Sequence, residues 1–261
     1  MKSVNVKARA KLNTFLDILG KRPDGYHEVL TAMCAIDLAD DVTVSIEDGD
    51  GIDVTCSDPT ITENTAYKAA ELFLRKAGIR KRISIDIVKR IPVMAGLGGS
   101  SADAAAVLHA LNALAGEPFR LEQLLELGAE VGADVPFCVH GGHALCTGTG
   151  ATVSEVLPPL DCAFVIVKPE FGCCTKTAYT QYGIKPIPKT EFRYYYNVFE
   201  KLHNNPEICR IKADLMNAGA TASCLTGSGS AVYGVFGDRE AAQKAFRALT
   251  YKEKYIAQPT T

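Results

Sequence analysis

Three glycines in four positions followed by tandem serines, Gly96-Leu97-Gly98-Gly99-Ser100-Ser101, form the segment best suited to chemistry. Glycines let backbone N–H groups approach a ligand closely, and a helix starting at the serines adds unpaired donors and the positive end of a dipole. A polyphosphate fits that arrangement, with the hydroxyls of Ser100 and Ser101 as further contacts to phosphate or magnesium. The bland alternative is a serine-capped helix start whose glycines serve only a tight turn. Glycine density with paired serines favours phosphate. A P-loop would end in Gly-Lys-Ser/Thr, and no lysine lies between Lys89 and the helix. A dinucleotide fingerprint needs a third glycine at Ser101 and an acidic residue about 20 positions on, where the chain is still helical or entering a loop.

Other residues carry weaker signals. Tyr26 and His27 follow the turn Arg22-Pro23-Asp24-Gly25, so an aromatic face and an imidazole stand side by side, suited to a pyrimidine ring or simply to an amphipathic turn end. Thr226-Gly227-Ser228-Gly229 precedes a strand and on its own reads as a hairpin turn. His140 and His143 lack a third and fourth ligand, so a solvated pair and no metal site are expected. The run Arg80-Lys81-Arg82 with Lys89 and Arg90 reads as the charged face and ends of a strand beside the glycine loop.

The elements that must position these residues alternate between strand and helix, which argues an α+β or α/β fold. Period-two alternation marks strands at Val42 to Ile46 and Ile83 to Ile87. Helices are expected from Asn64 to Ala77 with a stop at Gly78, from Ala102 to Ala115, and from Leu121 to Val131. A glycine-rich, strand-like stretch runs from Gly141 to Gly150. Pro158-Pro159 interrupts both periodicities and divides the chain into 1–157 and 158–261. The second part reads as a strand Cys162 to Val167, helices around Thr175 to Tyr182, Phe192 to His203 and Pro206 to Ala218, a strand Ala231 to Phe236 and a helix Arg239 to Leu249.

The 261 residues carry 28 Lys+Arg against 30 Asp+Glu, so no global field recruits nucleic acid or an anionic membrane. Neither a signal peptide nor a membrane span is legible, and the protein is expected in the cytoplasm. Nine cysteines without a Cys-x-x-Cys spacing suggest reduced, mostly buried thiols. Oligomeric state is not legible.

Pro92-Val93-Met94-Ala95-Gly96-Leu97-Gly98-Gly99-Ser100-Ser101-Ala102 resembles the phosphate loop of the GHMP kinase superfamily. Within it, Ala10-Lys11-Leu12-Asn13, Gly20 to Glu28, Ile36-Asp37-Leu38, Gly132-Ala133-Asp134-Val135-Pro136-Phe137, Asn197-Val198-Phe199-Glu200 and Leu225 to Ser230 are similar to the diphosphocytidyl-methylerythritol kinases. The ordered agreement runs from about Lys7 to Phe236. The resemblance implies a two-domain α+β fold, with an N-terminal domain like domain 2 of ribosomal protein S5 and a ferredoxin-like C-terminal domain. It implies ATP and Mg²⁺ as cofactors and a cytidyl diphosphate alcohol as the acceptor. It assigns Lys11 and Asp134 as the catalytic pair, Pro92 to Ala102 to ATP, and Asn13, Tyr26, His27 and Thr175 to the substrate. Thr226, Gly227, Ser228 and Gly229 would support the transferred phosphoryl group, and Lys176 and Tyr179 would lie on the substrate side. Gly183 to Phe192 is shorter than the family pattern. A kinase of another alcohol, such as homoserine or mevalonate, and a non-catalytic nucleotide-binding protein are the alternatives.

Overall fold

A computed structural model describes residues 1–61, 64–184, 191–201 and 205–260. Two long strands, β1 (Lys2–Lys21) and β2 (His27–Glu47), are followed by β3 (Ile52–Cys56), α1 (Thr65–Ala77), β4 (Arg82–Val88) and α2 (Gly99–Leu114). Then come α3 (Leu121–Val131), α4 (Val135–His140), β5 (His143–Thr147) and β6 (Thr152–Val156). The chain continues through β7 (Ala163–Lys168), α5 (Thr175–Ile184), β8 (Tyr196–Asn197) and a 3-10 helix (Val198–Lys201). It ends with α6 (Pro206–Asn217), β9 (Ala222–Leu225), β10 (Val232–Phe236), α7 (Arg239–Ala248) and β11 (Glu253–Ala257).

The first sheet has seven strands, with the path β3-β4-β2-β1-β8 and β5 and β6 branching from β2. The second has four, in the order β11-β7-β10-β9, and with α6 and α7 it forms the βαββαβ arrangement of a ferredoxin-like fold. Local chemistry explains the helix ends. The Asn64 side chain accepts from the Ala66 N–H, and Gly78 closes α1 in the left-handed region at φ +64°. The second sheet is buried on both faces, which is why Ala163 to Val167 and Val232 to Phe236 read as unbroken apolar runs. Phe164, Ile166 and Tyr233 pack toward the large core beneath the first sheet, whereas Val165, Val167 and Val232 pack with Ile211 and Leu215 of α6.

β1 governs the site's placement. Its first residues alternate, but Ala10 to Ile18 is buried without a break because β1 runs between the helices of the first layer and the second sheet. Register shifts against β2 fall between Arg9 and Lys11 and between Asn13 and Phe15, so irregular strand geometry brackets Lys11 and Asn13. Such bulges re-aim side chains.

Three expectations are corrected. Phe192 to His203 is not a helix: Tyr195 takes φ +62°, β8 pairs in parallel with Phe15 and Leu16, and a 3-10 helix follows, while 202–204 lie outside the described residues. Tertiary pairing overrides the helical pattern there. His140 and His143 are not a solvated pair, because His143 is buried, with Nδ1 against the Pro158 carbonyl and Nε2 against the Thr14 hydroxyl. All nine cysteines are free thiols, but only Cys34, Cys146 and Cys224 are buried and Cys174 and Cys209 are exposed.

Candidate active site

The glycine loop crosses from β4 to α2, whose N-cap is Gly98 rather than a serine. Gly98 has no side chain to cap the first turn, so the amides of Gly99, Ser100 and Ser101 remain as donors at the positive helix end. Ser100 is exposed, and so are Val93 and Met94. Ala95, Leu97 and Ala102 are buried in the core, so only their backbones can meet a nucleotide. Two glycines are required by packing. A Cβ on Gly96, at φ +77°, would lie 2.2 Å from the Thr226 carbonyl oxygen, and one on Gly98, at φ +73°, would lie 3.0 Å from Lys11 Cγ. The glycine loop therefore rests on the Thr226 loop and on the stem of Lys11.

Lys11 is only 3% exposed, and its backbone N–H donates to the Leu97 carbonyl at 3.0 Å. Its ammonium donates to Asn13 Oδ1 at 2.7 Å and lies 3.4 Å from Asp134 Oδ2. Asp134 stands at the N-cap of α4, where Pro136 occupies the first turn, and its side chain makes no cap hydrogen bond. The carboxylate thus stays partly open while facing a buried cation. These two residues, 123 positions apart, are brought together by the packing of α4 and α2 on β1.

Asn13 is buried and every polar atom of its side chain is engaged. Oδ1 accepts from Lys11 Nζ, from the Gly227 N–H at 2.9 Å and from the Thr226 hydroxyl, and Nδ2 donates to Thr31 Oγ1 at 2.8 Å. The Gly96 carbonyl, 3.3 Å away, shares that single Thr226 hydroxyl proton with Asn13 Oδ1. Thr175 stands exposed at the start of α5, its hydroxyl 3.0 Å from that of Ser228. Lysine, aspartate, glycine loop and Thr226 loop therefore converge.

His27 and Tyr26 lie at the turn between β1 and β2. Tyr26 is 66% exposed, whereas the His27 ring stacks obliquely 5.3 Å from Tyr179 and edge-on 5.8 Å from Tyr182. Burial, with the charge of Lys21 adding to it, holds the His27 imidazole below its usual range, so it is neutral near pH 7. Its Nε2 is buried without a partner. Burial, with Asp134's charge adding to it, raises the Tyr179 phenol well above its ordinary range, so the aromatic group and the Lys11–Asp134 pair share one neighbourhood. Of the shortened segment Gly183 to Phe192, residues 185–190 lie outside the described ones.

Lys89 stands at the end of β4 beside the glycine loop, as the charge pattern places it, but its ammonium is buried between Asp40 and Asp103, bonding Asp103 Oδ2 at 2.6 Å. Asp40 Oδ1 also accepts the backbone N–H groups of Arg90 and Ile91, so the triad pins the entry of the glycine loop to the first turns of α2.

Among the described residues, no three His, Cys, Asp or Glu side chains group in a way that could hold a metal ion, and no helix is long and apolar enough to cross a membrane.

A glycine loop at a helix start, braced by a second glycine loop from a ferredoxin-like sheet, is the architecture of the GHMP kinases. Residues 64–142 match the GHMP kinases N terminal domain and residues 203–255 match the GHMP kinases C terminal family. A 4-diphosphocytidyl-2-C-methyl-D-erythritol kinase of Clostridium botulinum is 40% identical over 97% of each chain, and one of Bacillus pumilus is 40% identical over 93% of this chain and 91% of its own. The crystal structure of a 4-(cytidine 5'-diphospho)-2C-methyl-D-erythritol kinase superposes with a TM-score of 0.83 at 31% identity, covering 99% of this chain and 100% of its own. The mevalonate kinase of Methanococcus jannaschii, at 15% identity and a TM-score of 0.75, shares the fold. The chain belongs to the 4-diphosphocytidyl-2-C-methyl-D-erythritol kinase family.

Proposed function

We propose that the chain transfers the γ-phosphoryl group of ATP to the 2-hydroxyl of 4-diphosphocytidyl-2-C-methyl-D-erythritol, yielding the 2-phosphate and ADP. The new bond joins the substrate oxygen to the γ-phosphorus as the bond to the β,γ-bridging oxygen breaks. Asp134 accepts the hydroxyl proton, and the Lys11 ammonium orients that carboxylate and offsets charge developing on the transferred group. The observation that carries this reading is the approach of Lys11 Nζ to Asp134 Oδ2, 3.4 Å apart, with the Lys11 stem packed beneath Gly98 of the phosphate loop.

The amides of Gly99 to Ser101 bind the nucleotide phosphates, with Pro92 to Ala102 as the ATP loop. Mg²⁺ entering with the nucleotide supplies charge neutralisation; its donors would be mainly phosphate oxygens and water, with the Ser100 and Ser101 hydroxyls, since Asp103 is committed to Lys89. His27, neutral and with an unpartnered Nε2, reads the cytosine edge, while Tyr26 covers the ring. Asn13 acts on the acceptor side by holding Lys11, and Thr175 with Ser228, beside Thr226, Gly227 and Gly229, supports the transferred group. We read 1–157 and 158–261 as the two domains, with the reaction in the cytoplasm, where ATP and nucleotide-linked intermediates are held.

The test is ADP release from Mg-ATP with the cytidyl alcohol, homoserine and mevalonate in parallel. Turnover with the cytidyl alcohol alone is expected. Turnover with another alcohol in its place would keep the fold and refute the substrate.

A further inference from the structure

The segment Asn197-Val198-Phe199-Glu200 has no part in the chemistry above, yet Asn197 bonds the loop that does and Glu200 bonds Leu225, the strand residue leading into it. We propose that Asn197 and Glu200 are positioning residues, a bracket that fixes the Thr226 to Gly229 loop relative to Lys11. Asn197 is 1% exposed; its Nδ2 donates to the carbonyls of Leu225 at 2.9 Å and Gly227 at 2.8 Å, and its Oδ1 accepts the Phe199 N–H at 3.0 Å. Glu200 Oε1 accepts the Leu225 N–H at 2.7 Å, and Oε2 pairs with Lys212 of α6 at 2.6 Å.

The bracket's other end is β1. β8 pairs in parallel with Phe15 and Leu16, just beyond Asn13, whose Oδ1 joins the Gly227 N–H to the Lys11 ammonium. A closed circuit results: β1 carries Lys11 and Asn13, Asn13 holds the N–H side of Gly227, and Asn197, on β8 paired beside β1, holds its carbonyl. Buried amides with all partners satisfied fix one geometry, and losing a donor leaves buried carbonyls unpaired. Neither residue touches reacting atoms; both act through the loop.

Asn197→Asp preserves shape, removes both donated hydrogen bonds and turns an oxygen toward two carbonyls. The expected result is a roughly 10- to 100-fold fall in kcat with KM for ATP and for the cytidyl alcohol within about 3-fold, because positioning and not affinity is lost. Hydrogen exchange gives a second readout: the amides of Gly227 and Gly229 should exchange at least about 10 times faster, with α1 unchanged. The kcat arm rests on the kinase reading, and the exchange arm does not. A wild type without turnover on any alcohol would sink that reading while leaving exchange to judge the bracket. Wild-type exchange in the loop overturns the proposal, as does faster exchange with kcat unchanged in a turning-over enzyme. Should Asn197→Asp not fold, Glu200→Ala removes the acceptor of the Leu225 N–H together with the Lys212 ion pair and leaves Asn197 in place. It should speed exchange at 225–229 and lower kcat about 3-fold, and wild-type behaviour in both readouts overturns the bracket equally.

Discussion

Replacing Gly96 by alanine tests the contact between the two glycine loops. The added Cβ would lie 2.2 Å from the Thr226 carbonyl oxygen, whereas an ordinary carbon–oxygen contact is about 3.3 Å. The loops must therefore part by roughly 1 Å, and a displacement of that size at a reacting centre costs about 100-fold in rate. The left-handed backbone adds about 1–2 kcal/mol of strain for a residue with a Cβ. Gly116→Ala separates the two effects, since Gly116 also has positive φ, +85°, but nothing within 4 Å of the added carbon. Steady-state kinetics with Mg-ATP and the cytidyl alcohol should show kcat/KM reduced about 100-fold for Gly96→Ala and nearly unchanged for Gly116→Ala. Both variants should lose stability in urea through backbone strain, Gly96→Ala the more because of the added clash. Gly96→Ala with activity within about 3-fold of wild type would refute the idea that the two loops interlock to place the phosphates.

Further consequences can be measured separately. His27→Ala should raise KM for the cytidyl alcohol by roughly 10- to 100-fold, the loss of one or two hydrogen bonds, and leave KM for ATP within about 2-fold. Because burial holds this imidazole below its usual range, KM in the wild type should stay flat down to about pH 6.5 and rise below it as His27 protonates, which a pH series of initial rates would show. Burial pushes the Asp103 carboxyl up to about 7, with Lys89 opposing and Asp40 adding, so the folded state binds this proton more tightly than the unfolded one. Its stabilising contribution is present below the ordinary carboxylate range and lost as pH rises through about 7, so the stability of wild type relative to Asp103→Asn should decline with rising pH over that interval, read from urea unfolding. Asn64→Ala removes the α1 N-cap and should cost about 1 kcal/mol of stability without changing kcat.

What the sequence exposes depends on how local each cause is. Gly78 and Asn64 mark the ends of α1 because a left-handed cap and a side-chain acceptor are properties of single residues. The loop glycines stand out for the same reason, although the partner of Gly96, the Thr226 carbonyl, lies 130 positions away and leaves no local trace. Lys11 and Asp134 are ordinary residues in isolation; only the family resemblance pairs them, and the packing of α4 on β1 is what joins them. Burial from Ala10 to Ile18 erases the alternation that would have announced β1 as a strand. Lys89 lies next to other cations, and that neighbourhood disguises a buried ion pair formed with Asp40 and Asp103, 49 and 14 positions away. The tyrosines at 194–196 mimic a helical pattern, but Tyr194 and Tyr195 form a turn, with Tyr195 at φ +62°, that delivers Tyr196 to its pairing with β1.

The measurement closest to the central claim is single-turnover transfer of the γ-phosphoryl group to the cytidyl alcohol by wild type and by Asp134→Asn, with nucleotide affinity determined on the same samples. An asparagine keeps the size of the side chain and cannot take the hydroxyl proton, so the transfer rate should fall about 100- to 10,000-fold while ATP affinity stays within about 3-fold. Transfer by Asp134→Asn within about 10-fold of wild type would contradict the assignment of Asp134 as the proton acceptor held by Lys11.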